Sequence, residues 1–137
     1  SISSITGTVV DLPLAAEKNT AGMAALALQR ELALPFGFDL DVVKGIPLGS
    51  GLGGSAASAV AAVVAAAALV GRPIGRTQLL KFAMQGEAVA SGSVHVDNIA
   101  PSLFGGLVLI ASQPLRLALS GTPAWLAIAG WATSLVA

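Results

Sequence analysis

Pro47-Leu48-Gly49-Ser50-Gly51-Leu52-Gly53-Gly54-Ser55-Ala56-Ala57 is the stretch on which the reading of this chain turns. Gly49, Gly51, Gly53 and Gly54 accept positive φ without steric penalty and let the backbone lie close against a ligand. An apolar helix follows at once, Ala56 to Val70 with Ser58 as its one polar residue. Its first N–H groups and positive dipole end therefore face whatever the loop encloses. Ser50 and Ser55 add hydroxyls suited to phosphate oxygens or to a magnesium ion. The combination suits a polyphosphate.

The flanks place this loop between a strand and a helix. Phe36, Phe38, Leu40 and Val42 alternate with Gly37, Asp39, Asp41 and Val43, the period-two pattern of a strand with one buried face, expected near 38–44. Upstream, Ile5 to Leu12 leans towards a strand that stops at Pro13. Asn19 and Thr20 offer caps for a helix near 20–33, in which Met23, Leu26, Ala27 and Arg30 fall at helical spacing until Pro35. Downstream, Gly71, Pro73 and Gly75 introduce a second helix near 76–90 with Leu79, Leu80, Phe82, Ala83 and Met84 on its apolar face. Gly92 closes it. A loop holding His95 leads to Asp97, a candidate cap for a short helical turn interrupted at Pro101, and a buried strand is expected near 106–110. No repeat, charge run or linker divides the chain, so residues 1–137 read as a single, partial domain with a tail at 113–137 that has no clear pattern.

Three readings compete for the glycine loop. Gly49, Gly51 and Gly54 satisfy G-x-G-x-x-G, but a dinucleotide fingerprint wants an acid about 20 residues on, and the next acid is Glu87. Gly49 and Gly54 have the Walker A separation, but Ser55 occupies the position of the invariant lysine. The third reading is a strand-to-helix turn that binds nothing.

Composition narrows the classes further. With 137 residues, seven basic and seven acidic, the formal charge is zero, which removes the electrostatic footprint of a nucleic-acid binder. The absence of cysteine excludes disulfides and thiolate chemistry, and His95 as the one histidine excludes a multi-histidine metal site. A mean hydropathy of +0.83 raises the question of a membrane. Ala56 to Val70 and Pro123 to Ala137 are both shorter than the roughly 20 residues a spanning helix needs, so no membrane partner is expected. The chain opens on Ser1 without an initiator methionine or a signal peptide, and a cut or an internal boundary is expected there.

A second constellation is Gln85-Gly86-Glu87, Ala90-Ser91-Gly92 and His95-Val96-Asp97-Asn98-Ile99-Ala100-Pro101, ending in Phe104-Gly105-Gly106-Leu107. The bland reading has Glu87 solvated, His95 in a loop and Asp97 as an N-cap. The functional reading gathers a carboxylate for Mg²⁺ with an imidazole, a carboxylate and an amide for a small polar substrate.

Both stretches resemble one family. The segment 47–57 is similar to the P-x-x-x-G-L-G-S-S-A-A phosphate loop of the GHMP small-molecule kinases, with Gly54 where the pattern has its first serine. The later stretch resembles the G-E-x-x-A-S-G, H-A-D-N-x-A-P and G-G-L segments of the homoserine kinase branch, with Val96 in place of alanine. Leu12-Pro13-Leu14 and Glu17-x-Asn19 fit the same branch, and the likeness spans about Gly7 to Trp125. The branch's opening P-x-x-x-A-N-L-G-x-G-F-D segment and its glycine-rich third motif are not found in the chain.

The resemblance implies an α+β fold, the central part of the GHMP amino-terminal lobe (ribosomal protein S5 domain 2-like), with strands near 5–12, 38–44 and 106–110 beside three helices. It implies ATP-dependent phosphorylation of L-homoserine to O-phospho-L-homoserine in threonine synthesis, in the cytoplasm. Pro47 to Ala57 would cradle the ATP phosphates, Ser55 and Glu87 would hold Mg²⁺, and His95, Asp97 and Asn98 would face homoserine. Asn98 stands where mevalonate-type relatives have an aspartate base, which implies direct attack by the substrate hydroxyl with no strong side-chain base. A different GHMP kinase, a non-catalytic phosphate-binding fragment and a membrane-associated or interaction protein are the alternatives. An unpaired lobe would expose apolar surface, so self-association into a homo-oligomer is expected of the chain by itself.

Overall fold

The computed structural model describes residues 1–92, 94–111 and 127–130. Strand β1 (Ile2–Gly7) lies parallel to β2 (Leu40–Lys44), in a register that pairs Ile5 with Val42 and Gly7 with Lys44. Parallel neighbours need a crossover, and helix α1 (Thr20–Glu31), preceded by a single 3-10 turn at Ala16–Lys18, supplies it. Then follow α2 (Gly54–Val70), α3 (Arg76–Ser91), α4 (Val96–Phe104) and β3 (Val108–Ala111), the last parallel to β4 (Ala127–Gly130).

Local chemistry explains where α1 begins. Asn19 is its N-cap, and the side-chain carbonyl accepts hydrogen bonds from the amides of Ala21 (3.0 Å) and Gly22 (3.5 Å). The Asn19 amide nitrogen donates to the Pro13 carbonyl at 3.0 Å, tying the preceding loop to the cap. Such a cap stabilises a helix by about 1 kcal/mol. The buried face of α1 is Ala21, Gly22, Ala24, Ala25, Ala27 and Leu28, one step round from the expected Met23 and Leu26, because small residues let neighbouring helices approach closely.

The core lies where α1, α2 and α3 meet, around Leu28, Ala59, Val63, Phe82 and Ala83, and α4 and β3 add Ile99, Val108 and Ile110. Full burial of a side chain such as Leu28 or Ile99 contributes about 1.5–3 kcal/mol each. At the α1–α3 crossing the spacing is so close that a Cβ on Gly86 would stand 2.5 Å from the Thr20 carbonyl oxygen. Glycine at that position is what lets α3 carry the next residue, Glu87, to the N-terminal ends of α1 and α2.

The α+β class holds, with corrections to its elements. The first strand covers 2–7 rather than 5–12, because Gly7, at φ +99°, turns the chain away immediately after pairing with Lys44. The helices number four rather than three among the described residues. The expected short turn at Asp97 is a helix that continues through Pro101 to Phe104. An interior proline costs roughly 3 kcal/mol, and burial of Val96, Ile99 and Ala100 at 5%, 0% and 0% exposure offsets it. The expected tail at 113–137 lies outside the described residues except for 127–130.

Candidate functional site

The inward side of β2 carries Leu40, Val42 and then Lys44, a lysine only 8% exposed at the point where the strand gives way to the glycine loop. Gly49, Gly51 and Gly53 have φ of +71°, +73° and +68°, a region that non-glycine residues enter at a cost of about 1–2 kcal/mol. Gly53 is the N-cap of α2 and brings no side chain to cap it. The Ala57 amide donates to the Gly53 carbonyl at 2.9 Å, so the amides before it in the first turn, those of Gly54, Ser55 and Ala56, have no intrahelical acceptor. At Gly54, where the family pattern has serine, a Cβ would come within 3.2 Å of the Ile46 side chain, a tight fit.

Two further elements converge on this helix end. From α3, the Glu87 carboxylate, 2% exposed, accepts a hydrogen bond at Oε1 from Ser55 Oγ over 2.8 Å. From α4, the half-buried Asn98 rests against the loop, its Cβ and Cγ each 3.3 Å from where a Gly53 Cβ would be. His95 is the N-cap residue of the same helix. The resulting cleft, of about 330 Å³, is walled by Lys44, the loop, Ser55, Glu87, His95 and Asn98, with Leu12 and Thr20 closing the α1 side.

Lys44 sets the electrostatics. Its ammonium donates to the Gly54 carbonyl (2.7 Å) and to Ser58 Oγ (2.6 Å). Burial holds its pKa below the ordinary lysine value, and the Glu87 charge opposes that shift. A cation, a carboxylate, a hydroxyl and a row of free amides thus face one small space, an arrangement suited to a multiply charged anion together with a divalent cation.

Most of the expected residues meet here. Pro47, Leu48, Gly49, Ser50, Gly51, Gly53, Gly54 and Ser55 line the cleft, as do Glu87, His95 and Asn98. Others point elsewhere. Asp97, in the first turn of α4, is exposed and is not a lining residue; the N-cap position expected of it belongs to His95. Leu52 is 70% exposed on the outside of the loop. Ala56 is in the core, and Ala57 lines a neighbouring groove between β2 and α2. Sequence reasoning missed Lys44, Ile46, Thr20 and Leu12. Lys44 carried a signal, since the period-two pattern of Phe38, Leu40 and Val42 puts it on the inward face, where an unpaired lysine is rare. Thr20 and Leu12 carried none.

Comparison with known proteins identifies the family. The family "GHMP kinases N terminal domain" matches residues 19–106. The homoserine kinase of Xylella fastidiosa strain M12 is 56% identical over 114 residues, which cover 83% of this chain and 35% of that protein. That of Thermoplasma acidophilum is 48% identical over 99 residues, 72% of this chain and 32% of the relative. The crystal structure of homoserine kinase from Cytophaga hutchinsonii superposes with a TM-score of 0.72 at 48% identity, covering 77% of this chain and 33% of that one. The chain spans about a third of the length of these relatives.

Proposed function

This chain belongs to the GHMP kinase family, and from that premise we propose that it is the phosphate-binding part of a homoserine kinase, acting in the cytoplasm on L-homoserine and ATP to give O-phospho-L-homoserine and ADP for threonine synthesis. The observation that carries the proposal is the packing of Asn98 against Gly53, 3.3 Å from its would-be Cβ. It brings the H-x-D-N segment and the phosphate loop to the same cleft, so that a small alcohol held by one lies beside a polyphosphate held by the other.

Each part of the cleft has work to do. The amides of Gly54, Ser55 and Ala56 and the backbone of Gly49 to Gly53 are offered to phosphate oxygens at a helix N-terminus. Lys44 adds a full positive charge in a setting where burial strengthens its field. Asn98 and His95, on the α4 side, are placed to orient the substrate hydroxyl and polar head. That hydroxyl oxygen attacks the γ-phosphorus, forming a P–O bond as the bond to the ADP oxygen breaks. The hydroxyl proton leaves to a phosphate oxygen or solvent; among the described residues the cleft's one carboxylate, Glu87, is engaged by Ser55. Catalysis is then a matter of alignment and charge stabilisation.

The donor set also fits a magnesium ion. Ser55 Oγ and Glu87 Oε1 are hard oxygen donors 2.8 Å apart on the cleft wall. With two protein donors, phosphate and water would complete most of the ion's shell. When bound, Mg²⁺ supplies neutralisation of charge on the β- and γ-phosphates.

A coupled ADP-release assay with ATP, Mg²⁺ and L-homoserine, run on the 137-residue chain beside Glu87→Ala, tests the proposal. Homoserine-dependent turnover that vanishes in Glu87→Ala supports it. Turnover with another alcohol but not with homoserine would replace the substrate assignment, and folded protein without turnover would reduce the role of this chain to phosphate binding.

A further inference from the structure

Ser58 is the one polar residue in the apolar run Ala56 to Val70, and none of the roles above uses it. Serine inside a helix ordinarily bonds back to the carbonyl four residues earlier, which disposes of its hydroxyl without further purpose. Ser58 does make that bond, donating from Oγ to the Gly54 carbonyl at 2.9 Å. What goes beyond it is the second partner, because the same oxygen accepts from the Lys44 ammonium at 2.6 Å. Lys44 donates in turn to the Gly54 carbonyl at 2.7 Å, so the three groups close a triangle beneath the first turn of α2.

We propose that Ser58 is a positioning residue that anchors the Lys44 ammonium at the floor of the phosphate cleft; the proposal rests on the phosphate reading of that cleft. Lysine is a compact charge on a flexible four-carbon stem, with about 2 kcal/mol of rotamer entropy to lose on being fixed. Two acceptors, Ser58 Oγ and the Gly54 carbonyl, hold two of its three N–H groups. Lys44 lines both the phosphate cleft and the neighbouring groove between β2 and α2, and its third N–H is the one left for an anion. Without Ser58 the ammonium keeps one anchor, and the Glu87 carboxylate, whose charge it already feels, competes for it. The cation would then be drawn to the carboxylate instead of being presented to the anion.

The test is a double-mutant cycle read by calorimetric titration of the whole chain with inorganic tripolyphosphate, with thermal melts as the control for folding. Ser58→Ala is expected to weaken binding about 3- to 10-fold, the range for one ordinary intramolecular hydrogen bond, since the Gly54 carbonyl still holds the ammonium. Ser58→Cys, of nearly the same volume but a poor acceptor, is expected to weaken it similarly, and Ser58→Thr to restore it to within about twofold. In a Lys44→Met background, Ser58→Ala is expected to change affinity by less than about twofold, because the two residues act as one unit. Unchanged affinity in both Ser58→Ala and Ser58→Cys, or an equal loss with and without Lys44, would overturn the proposal while leaving the phosphate reading in place. Failure of the unaltered chain to bind tripolyphosphate would remove both.

Discussion

Ser55 Oγ donates a hydrogen bond to Glu87 Oε1 over 2.8 Å, although 32 residues separate the two in the chain. The contact joins the first turn of α2 to α3 at the edge of an apolar core, and it puts a hydroxyl and a carboxylate where the phosphate loop ends. Glu87→Gln keeps the shape and a carbonyl acceptor for Ser55 but removes the charge. In a full-length homologous enzyme carrying this sequence, Glu87→Ala and Glu87→Gln are expected to lower kcat about 100-fold or more, on the order of 3 kcal/mol in the barrier. The KM for homoserine should change only a few fold. Steady-state kinetics check this, and normal turnover with weakened homoserine binding would contradict the assigned role.

Lys44 predicts an alkaline limb. Its pKa in the folded chain lies below the unfolded value of 10.5, so between those two points the unfolded state holds more protons. Stability should therefore rise with pH across that window as the cost of burying the charge disappears. Affinity for tripolyphosphate should fall over the same window, because the ammonium loses its charge. Denaturant melts and titrations from neutral pH to 10.5 test both trends, and Lys44→Met should flatten both.

Gly53 and Gly49 form a matched pair of probes. Both have positive φ, +68° and +71°, but a Cβ at Gly53 would press on Asn98 at 3.3 Å, whereas one at Gly49 would meet open space. Each alanine substitution should cost about 1–2 kcal/mol of backbone strain if the loop keeps its shape. Only Gly53→Ala should also displace Asn98 and raise the KM for the alcohol substrate. Equal effects of the two variants on that KM would argue against Asn98 as a substrate-orienting group.

Gly86→Ala should disrupt the packing of two helices with a single methyl group. Its Cβ would fall 2.5 Å from the Thr20 carbonyl and 2.7 Å from the Ala24 side chain, so α1 and α3 would have to separate. A loss of about 1–3 kcal/mol is expected from overpacking, with weakened phosphate binding as Glu87 moves with its helix. Leu28→Ala, in the fully buried centre of α1, should cost about 2–5 kcal/mol through a cavity and leave the cleft's polar contacts alone. Comparing the two variants by thermal melt and tripolyphosphate titration separates the position of α3 from general stability.

The glycine loop and the helix behind it were legible in the residues themselves, because turn chemistry and apolar periodicity are local properties; Glu87 was singled out by the family likeness, since its own surroundings in sequence fit a solvated helix position equally well. The α+β class and the GHMP likeness followed from the same features, and Asn19 as the cap of α1 was readable from its side chain and the helix that follows it. Other features depended on packing. Pro101 reads as a breaker, yet burial of Ile99 and Ala100 carries the helix past it. Asp97 and Asn98 are adjacent, and roughly 100° of rotation per residue in α4 sends one to solvent and the other to the loop. Lys44 showed only as a charged residue on an inward strand face; its bonds to Gly54 and Ser58 exist because β2 and α2 are packed together. The sequence by itself determined which groups the cleft has available. Only the tertiary structure decided which of them meet, since direction around a helix and approach between helices are set by burial of the whole core, and no short stretch of residues encodes that.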